Sequence, residues 1–284
     1  FRIKYIIIIM NGSEDLEKLE DRAFPQTGSL QMLLGARNLK IVLFVRHAEA
    51  IHNVADAVAR RTAIDEGRSA EEARIATLKK PEFLDAGLSP RGVAQSFRSR
   101  KSISRLISSL GLSPSLVITS PLKRCTQTTE IIFGDNADVV VETDNLVRER
   151  MTGRPCDFLE WEFKEEGGKA SEDKMAEEDN INLQTRCSNF LDRLKAIDGH
   201  QFIVVVSHKA FLRELDNELR NHWAEASTVL RPGIYQNTEA RLYCFDFAPK
   251  TLINKKLMQF IVGDPQCTYG IQTHIRKWSI RSEA

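Results

Sequence analysis

Two stretches of the chain are apolar without a break, and each stops at a histidine. Ile41 to Val45 and Phe202 to Val206 contain no polar position, and most of their residues are β-branched. Strands in a half-wet sheet alternate apolar and polar positions, so an unbroken run predicts a strand covered on both faces. The first, within an expected strand over 39–45, ends in Arg46-His47; the second ends in Ser207-His208. Shorter strand signals lie at Ser115–Thr119, Asp138–Val141, Ala240–Phe247 and Leu257–Val262. Between them the pattern predicts helices over 54–64, 70–78, 90–110, 121–133, 183–197 and 210–222. Ser89 followed by Pro90 is a helix start, with Ser as the N-cap and Pro in the first helical position. Gly111 and Gly134 are the matching stops. This alternation predicts an α/β fold, a three-layer α/β/α sandwich around a mostly parallel central sheet.

Two segments break the rhythm. Residues 54–84, rich in Ala, Arg and Glu, follow the Arg-His turn directly and read as an excursion over the carboxyl end of the sheet. Residues 143–182 are charged and weakly patterned, and long segments of this kind in a compact domain are usually lids. The expected organisation is an extension over 1–38, peripheral or partly disordered, and a domain over 39–284 with cap insertions at 54–84 and 150–182. A short helix is expected at Glu14–Arg22. The apolar run Tyr5–Met10 is too short for a signal core or a membrane span, and Met10 offers an alternative start. The five cysteines are scattered with no C-x-x-C pair, which fits a reducing compartment and gives no metal or disulfide framework. A net charge of +1 argues against nucleic acid as a partner. The expectation is a cytoplasmic protein acting on a small molecule, with no membrane partner; oligomeric state is left open.

In open α/β sheets ligands bind beyond the carboxyl ends of the strands. His47 and His208 therefore face one cleft if their strands are neighbours. The strand at 115–119 runs into Ser-Pro-Leu-Lys-Arg124, which places Arg124 in the first turn of a helix, where anions are favoured. Two imidazoles with Arg46 and Arg124 suit a doubly charged tetrahedral anion, because guanidinium matches phosphate geometry. Phosphoryl transfer needs a nucleophile, charge neutralisation and a proton for the leaving oxygen. A neutral imidazole supplies the first. The guanidiniums and a protonated second histidine supply the next without a metal. Glu149, after the third strand, supplies the last.

The residues also resemble a known family. Val45-Arg-His-Ala-Glu-x-x-x-Asn53 is similar to the Arg-His-Gly-Glu-x-x-x-Asn signature of the histidine phosphatase superfamily, the phosphoglycerate mutase-like proteins of branch 1. Four more blocks follow in that family's order: Asp85-Ala-Gly-Leu-Ser-Pro-x-Gly92-x-x-Gln95, Thr119-Ser-Pro-Leu-Lys-Arg124-Cys-Thr-Gln127-Thr, Val147-Arg-Glu149 and Val205-Val-Ser-His208. The resemblance spans about 40–250 and implies a phosphoglycerate mutase-like fold. It implies that His47 accepts the phosphoryl group, and that Arg46, Asn53, Arg124 and His208 bind phosphate. It implies that Glu149 gives the proton and then activates water, with no metal and no cofactor.

Two departures stand out. Ala48 replaces the usual Gly beside the nucleophile, and Lys209 follows the second His. The latter reads as an added cation at the pocket or its rim. After the acid the chain runs Glu149-Arg-Met-Thr-Gly153 rather than the mutase-type Glu-Arg-His-Tyr-Gly. That favours a metal-independent phosphatase hydrolysing a phosphomonoester through phosphohistidine. The alternatives are a cofactor-primed phosphoglycerate mutase and a catalytically impaired phosphate-binding module. Other candidates are given blander roles. His52 reads as a rim residue in reach of substrate, Glu49 as an organiser of its turn, and Glu142 as a second candidate for the acid. His200 and His222 read as surface residues, Arg148 and Arg150 as solvated charge, and Cys125 and Cys156 as buried thiols. Asn237, Glu239 and Arg241 read as a cluster fixing the last core strand, and Phe158, Trp161 and Phe163 as lid packing.

Overall fold

A computed structural model of the protein describes residues 39–165, 177–222, 234–246 and 258–262. Its strands are β1 (Leu39–Arg46), β2 (Leu116–Thr119), β3 (Val140–Thr143), β4 (Phe202–Ser207), β5 (Ala240–Asp246) and β6 (Met258–Val262). They form one sheet in the order β3-β2-β4-β1-β5-β6. The four strands from β3 to β1 run parallel, and β5 and β6 are antiparallel to their neighbours. The expected α/β sandwich with a mostly parallel sheet is therefore the fold observed. The helices are α1 (Ile51–Asp65), α2 (Ala70–Leu78), α3 (Pro90–Leu110), α4 (Lys123–Phe133), α5 (Glu160–Glu165), α6 (Asn180–Ala196) and α7 (Lys209–His222).

The unbroken apolar runs feed two cores at once. Val42, Phe44, Ile203 and Val205 pack with Leu183, Phe190, Leu194, Phe211 and Leu215, from α6 and α7. Their alternates Ile41, Leu43, Val45, Phe202, Val204 and Val206 pack with Ile103, Leu106, Ile132 and Phe133, from α3 and α4. All ten of these strand residues are buried, and each such side chain contributes about 1.5–3 kcal/mol relative to exposure. That requirement pins β1 and β4 in the middle of the sheet. β5 is covered on both faces for the same reason. Tyr243 and Phe245 enter the first core and Ala240 and Leu242 the second.

Several boundaries differ from the sequence reading. α1 starts at Ile51 rather than Val54, because Ala50 is extended and its amide is taken by the Asn53 side chain. α4 starts at Lys123 rather than Pro121, since the Asp85 carboxylate, 38 residues earlier, accepts the Lys123 amide at 2.8 Å. β3 is shifted to Val140–Thr143 and is an exposed edge strand. α6 starts earlier, at Asn180, with the Asp179 carboxylate on the Asn182 amide at 2.7 Å. The Ser89 and Gly111 boundaries of α3 are as expected. The Ser89 hydroxyl accepts from Gly92 N–H, and Gly111 is left-handed at φ 61°. The expected helix at Glu14–Arg22, Phe247 and the side chains of Phe163 and His222 lie outside what is described.

Parts of both expected insertions meet. Ala55 of α1 packs with Phe83, Ala86 and Cys156, the last in a 3-10 turn at Pro155–Asp157. Among the described residues no helix is long and apolar enough to cross a membrane.

Candidate active site

Strand register brings the two histidines together. Arg46 lies opposite Ser207 in the β1–β4 ladder. The His47 amide extends that ladder, donating to the Ser207 carbonyl at 2.9 Å. The rings of His47 and His208, both buried, are 5.0 Å apart at their centroids and tilted by 58°. His47 Nδ1 sits 2.6 Å from the Ala48 carbonyl. A carbonyl only accepts, so Nδ1 carries the proton and Nε2 keeps its lone pair. Burial, then the charges of Arg124 and Arg46, hold the His47 pKa well below the ordinary imidazole range. The ring is thus neutral at neutral pH, the form that can attack phosphorus.

Arg124, fully buried in the first turn of α4, donates from Nε to His208 Nδ1 at 3.2 Å and from Nη1 to the Cys156 carbonyl at 2.6 Å. His208 Nε2 is 2.7 Å from the Ser120 hydroxyl. With Nδ1 accepting, this ring carries its one proton on Nε2. The ring is neutral in this arrangement, whereas the sequence reading has it protonated while it shares the charge of a phosphate. Burial and then the Arg124 charge hold its pKa well below the usual value. Arg46 is anchored by a bond from Nη1 to the Tyr235 carbonyl at 2.7 Å. Asn53 uses Oδ1 to accept the Ala50 amide at 3.0 Å, which leaves its NH2 end for a ligand.

Glu149 closes the group from the β3 side. Its Oε1 accepts from the Arg150 and Ala210 amides at 3.1 and 3.0 Å, so Oε2 is the oxygen left to hold a proton. Burial first and the Asp157 charge second raise its pKa, against the opposing pull of Arg124. Asp157 was not singled out by sequence. It is buried, accepts from Thr152 N–H at 3.1 Å, and lies 3.9 Å from Arg124 Nη2. Arg186 was also missed. Its guanidinium holds the Leu146, Arg148 and Glu149 carbonyls at 3.0, 2.7 and 3.3 Å and so fixes the loop bearing the acid. Neither carried a signal, since both act through backbone carbonyls or loop contacts that leave no periodic trace.

The second sequence block turns out to be scaffolding for the first. The Glu49 amide donates to Gln95 Oε1 at 2.9 Å, its carboxylate accepts from the Ser89 hydroxyl at 2.7 Å, and its carbonyl accepts from Ser89 N–H at 2.9 Å. Gly92 passes so close beneath that a Cβ there would stand 2.0 Å from the Glu49 carbonyl oxygen. Thr128, one turn after Arg124, accepts from the Ala48 amide at 3.1 Å and donates to the Arg124 carbonyl at 2.6 Å. That i to i+4 spacing from Arg124 was the available clue to it. Ala48 costs nothing in backbone strain: among the described non-glycine residues only Asp85 and Thr238 have positive φ. Lys209 is exposed at the start of α7; partial burial first and the Arg46 charge second lower its pKa, against the opposing pull of Glu149.

The remaining candidates fall outside the chemistry, with one exception. Glu142 pairs with Arg193 at 3.1 Å on the sheet edge, which removes it as an acid. Arg148 is a correction, not solvated charge: it binds Glu162 at 2.7 Å and the Asp157 carbonyl at 2.7 Å. Arg150 donates to the Glu178 carbonyl at 2.9 Å. Cys125 and Cys156 are buried, and burial drives both thiols up, Cys156 to about 12. Arg241 is buried between Asp216 and Glu239, with its guanidinium 3.7 Å above the Tyr235 ring. Asn237 Nδ2 donates to the His47 carbonyl at 3.1 Å, so this cluster braces His47 as well as β5. Phe158 is buried and Trp161 exposed. His200 bonds the Ser115 hydroxyl at the far edge of the sheet. The exception is His52, which is not on the rim but buried.

The sequence model of the histidine phosphatase superfamily (branch 1) matches residues 79–243, more than half of the chain. The chain belongs to that superfamily. The matched span starts after the nucleophile turn, and it is the β1–β4 register that joins His47 to the family blocks. No curated protein matches the sequence. Among solved structures, a candidate alpha-ribazole-5'-P phosphatase of Escherichia coli K-12 is similar in fold, with a TM-score of 0.50 at 16% identity over 82% of this chain and 99% of that one. A mycobacterial glucosyl-3-phosphoglycerate phosphatase gives a TM-score of 0.48 at 16% identity over 79% and 98%. A phosphoserine phosphatase of Entamoeba histolytica gives 0.42 at 18% over 72% and 90%.

Proposed function

We propose that this member of the superfamily is a phosphatase that hydrolyses a phosphomonoester of a small molecule through a phosphohistidine at His47. The observation that carries the reading is the pair of buried, neutral imidazoles, one with its Nδ1 proton locked on the Ala48 carbonyl, beside the Arg124 guanidinium. His47 Nε2 attacks phosphorus. The forming imidazolium is steadied by that carbonyl, as an outer-sphere acceptor steadies a ligating histidine. Arg46, Arg124 and the Asn53 amide take the equatorial oxygens. Burial first and the Arg124 charge second hold the His208 pKa down; the incoming dianion offsets that charge, so this ring takes up a proton from solvent and donates as well. Glu149 Oε2 gives its proton to the leaving alkoxide, and the resulting carboxylate then draws a proton from the water that releases phosphate. These charges suffice without a metal. The impaired-binding alternative loses part of its motive, because Ala48 is unstrained and Lys209 is exposed.

The test is p-nitrophenyl phosphate hydrolysis with EDTA present, for the wild type and His47→Ala. Turnover falling by about 10⁶-fold in the variant, as for removal of other nucleophiles, supports the reading. Wild-type activity that requires a bisphosphate primer and a phosphoglycerate would replace it with the mutase.

A further inference from the structure

We propose that His52 is a third imidazole of the oxyanion site, donating from Nδ1 to an oxygen of the phosphoryl group. The inference rests on the phosphatase reading above and adds a contact to it. His52 lies in the first turn of α1, five residues after the nucleophile, and is 8% exposed. Its Nδ1 is buried and, among the described residues, has no hydrogen-bond partner. An orphaned buried polar atom costs folding free energy and calls for an explanation.

A core histidine would have been satisfied by a carbonyl or hydroxyl from its surroundings, as His200 is by Ser115. His52 instead has cations for neighbours. Burial first, and then the charges of Arg124, Arg46 and Arg154, hold its pKa well below the ordinary imidazole range, and it in turn acts on both His47 and His208. It therefore stands among the groups that surround the phosphoryl position. None of the three guanidiniums can accept a hydrogen bond. The partner of Nδ1–H in such company is an acceptor that arrives with the substrate, and a phosphoryl oxygen is the acceptor this site collects.

Thermal unfolding with and without orthovanadate tests this in one assay, because a ligand that binds only the folded state raises Tm. His52→Phe removes the orphan and keeps the ring volume. Its Tm without vanadate should equal or exceed that of the wild type. Its vanadate affinity should fall by roughly 10- to 100-fold, the loss expected for one hydrogen bond to a charged group. His52→Asn, whose amide can reproduce a donor near the Nδ1 position, should keep affinity within about threefold, the margin context-dependence leaves to a retained hydrogen bond.

A lowered Tm with unchanged vanadate binding in His52→Phe would make His52 a structural residue and overturn the proposal, as would His52→Asn binding as poorly as His52→Phe. A wild type that shows no vanadate shift would remove the phosphatase reading itself. A wild type that shifts normally alongside a normal His52→Phe removes only the third imidazole.

Discussion

Two central strands, β1 and β4, present basic residues at both of their ends, and the two ends behave oppositely. At the amino edge Lys40 donates to the Leu194 and Lys195 carbonyls at 2.7 and 3.0 Å and to Ile197, the last carbonyls around the end of α6. His200 and Ser115 satisfy one another there at 2.8 Å. A depression of about 440 Å³ lies alongside, lined by Lys40, Asp198 and His200 among others. At the carboxyl edge Arg46, Arg124, His47 and His208 crowd together. The helices that start there, α4 and α7, turn amide ends rather than carbonyl ends toward them. Helix polarity explains the difference. Carbonyl termini neutralise a cation at one edge, while amide termini add positive potential at the other. A cation at the amino edge is a finished structural contact. At the carboxyl edge the helix ends add to the positive charge instead, which favours an anion there. A hollow alone would have pointed to the wrong edge.

The contrast can be broken in three ways. Arg124→Ala should lower kcat/KM by about 10³-fold, in the range seen when a guanidinium is removed from a phosphoryl-transfer site. A loss under tenfold would mean that the carboxyl edge does not depend on its cations. Glu149→Gln should slow alkyl phosphates by about 10²-fold or more and p-nitrophenyl phosphate far less, because only the former need a donated proton. Its pH profile sharpens the point. The His47 pKa is held down and that of Glu149 is held up. The wild-type kcat/KM therefore rises as His47 loses its proton, below the usual imidazole range. It falls as Glu149 loses its own, above the usual carboxylate range. The optimum for alkyl esters lies on the acid side, and Glu149→Gln should abolish the falling limb. Lys40→Met, the smallest effect, should cost about 1–3 kcal/mol of stability for the carbonyls left behind, read as a lower denaturation midpoint, with vanadate affinity unchanged. A tenfold change in kcat/KM there would show that the two edges are not separate.

Much of this was legible in the chain because strands announce themselves. The runs Ile41–Val45 and Phe202–Val206 can be buried on both faces only in the centre of a covered sheet, and their shared ending predicted neighbours. The residues that tune the site were not legible. Asp157 raises the Glu149 pKa from a 3-10 turn with no periodicity. Arg186 works through backbone carbonyls, which have no sequence signature. His52 was read as a rim residue in reach of substrate, yet it is buried in the first turn of α1. Asp85 was quoted only as part of a block, yet it caps a helix 38 residues away, a contact that only tertiary structure reveals.

Gly92 lies on α3 and carries no reactive group, yet its Cα is pressed against the Glu49 carbonyl, two residues past His47. A single added methyl group would have to displace either α3 or the turn holding the attacking imidazole. Damage at this position should therefore masquerade as a chemical defect: a folded molecule, normal by spectroscopy, whose nucleophile has been levered a fraction of an ångström out of line.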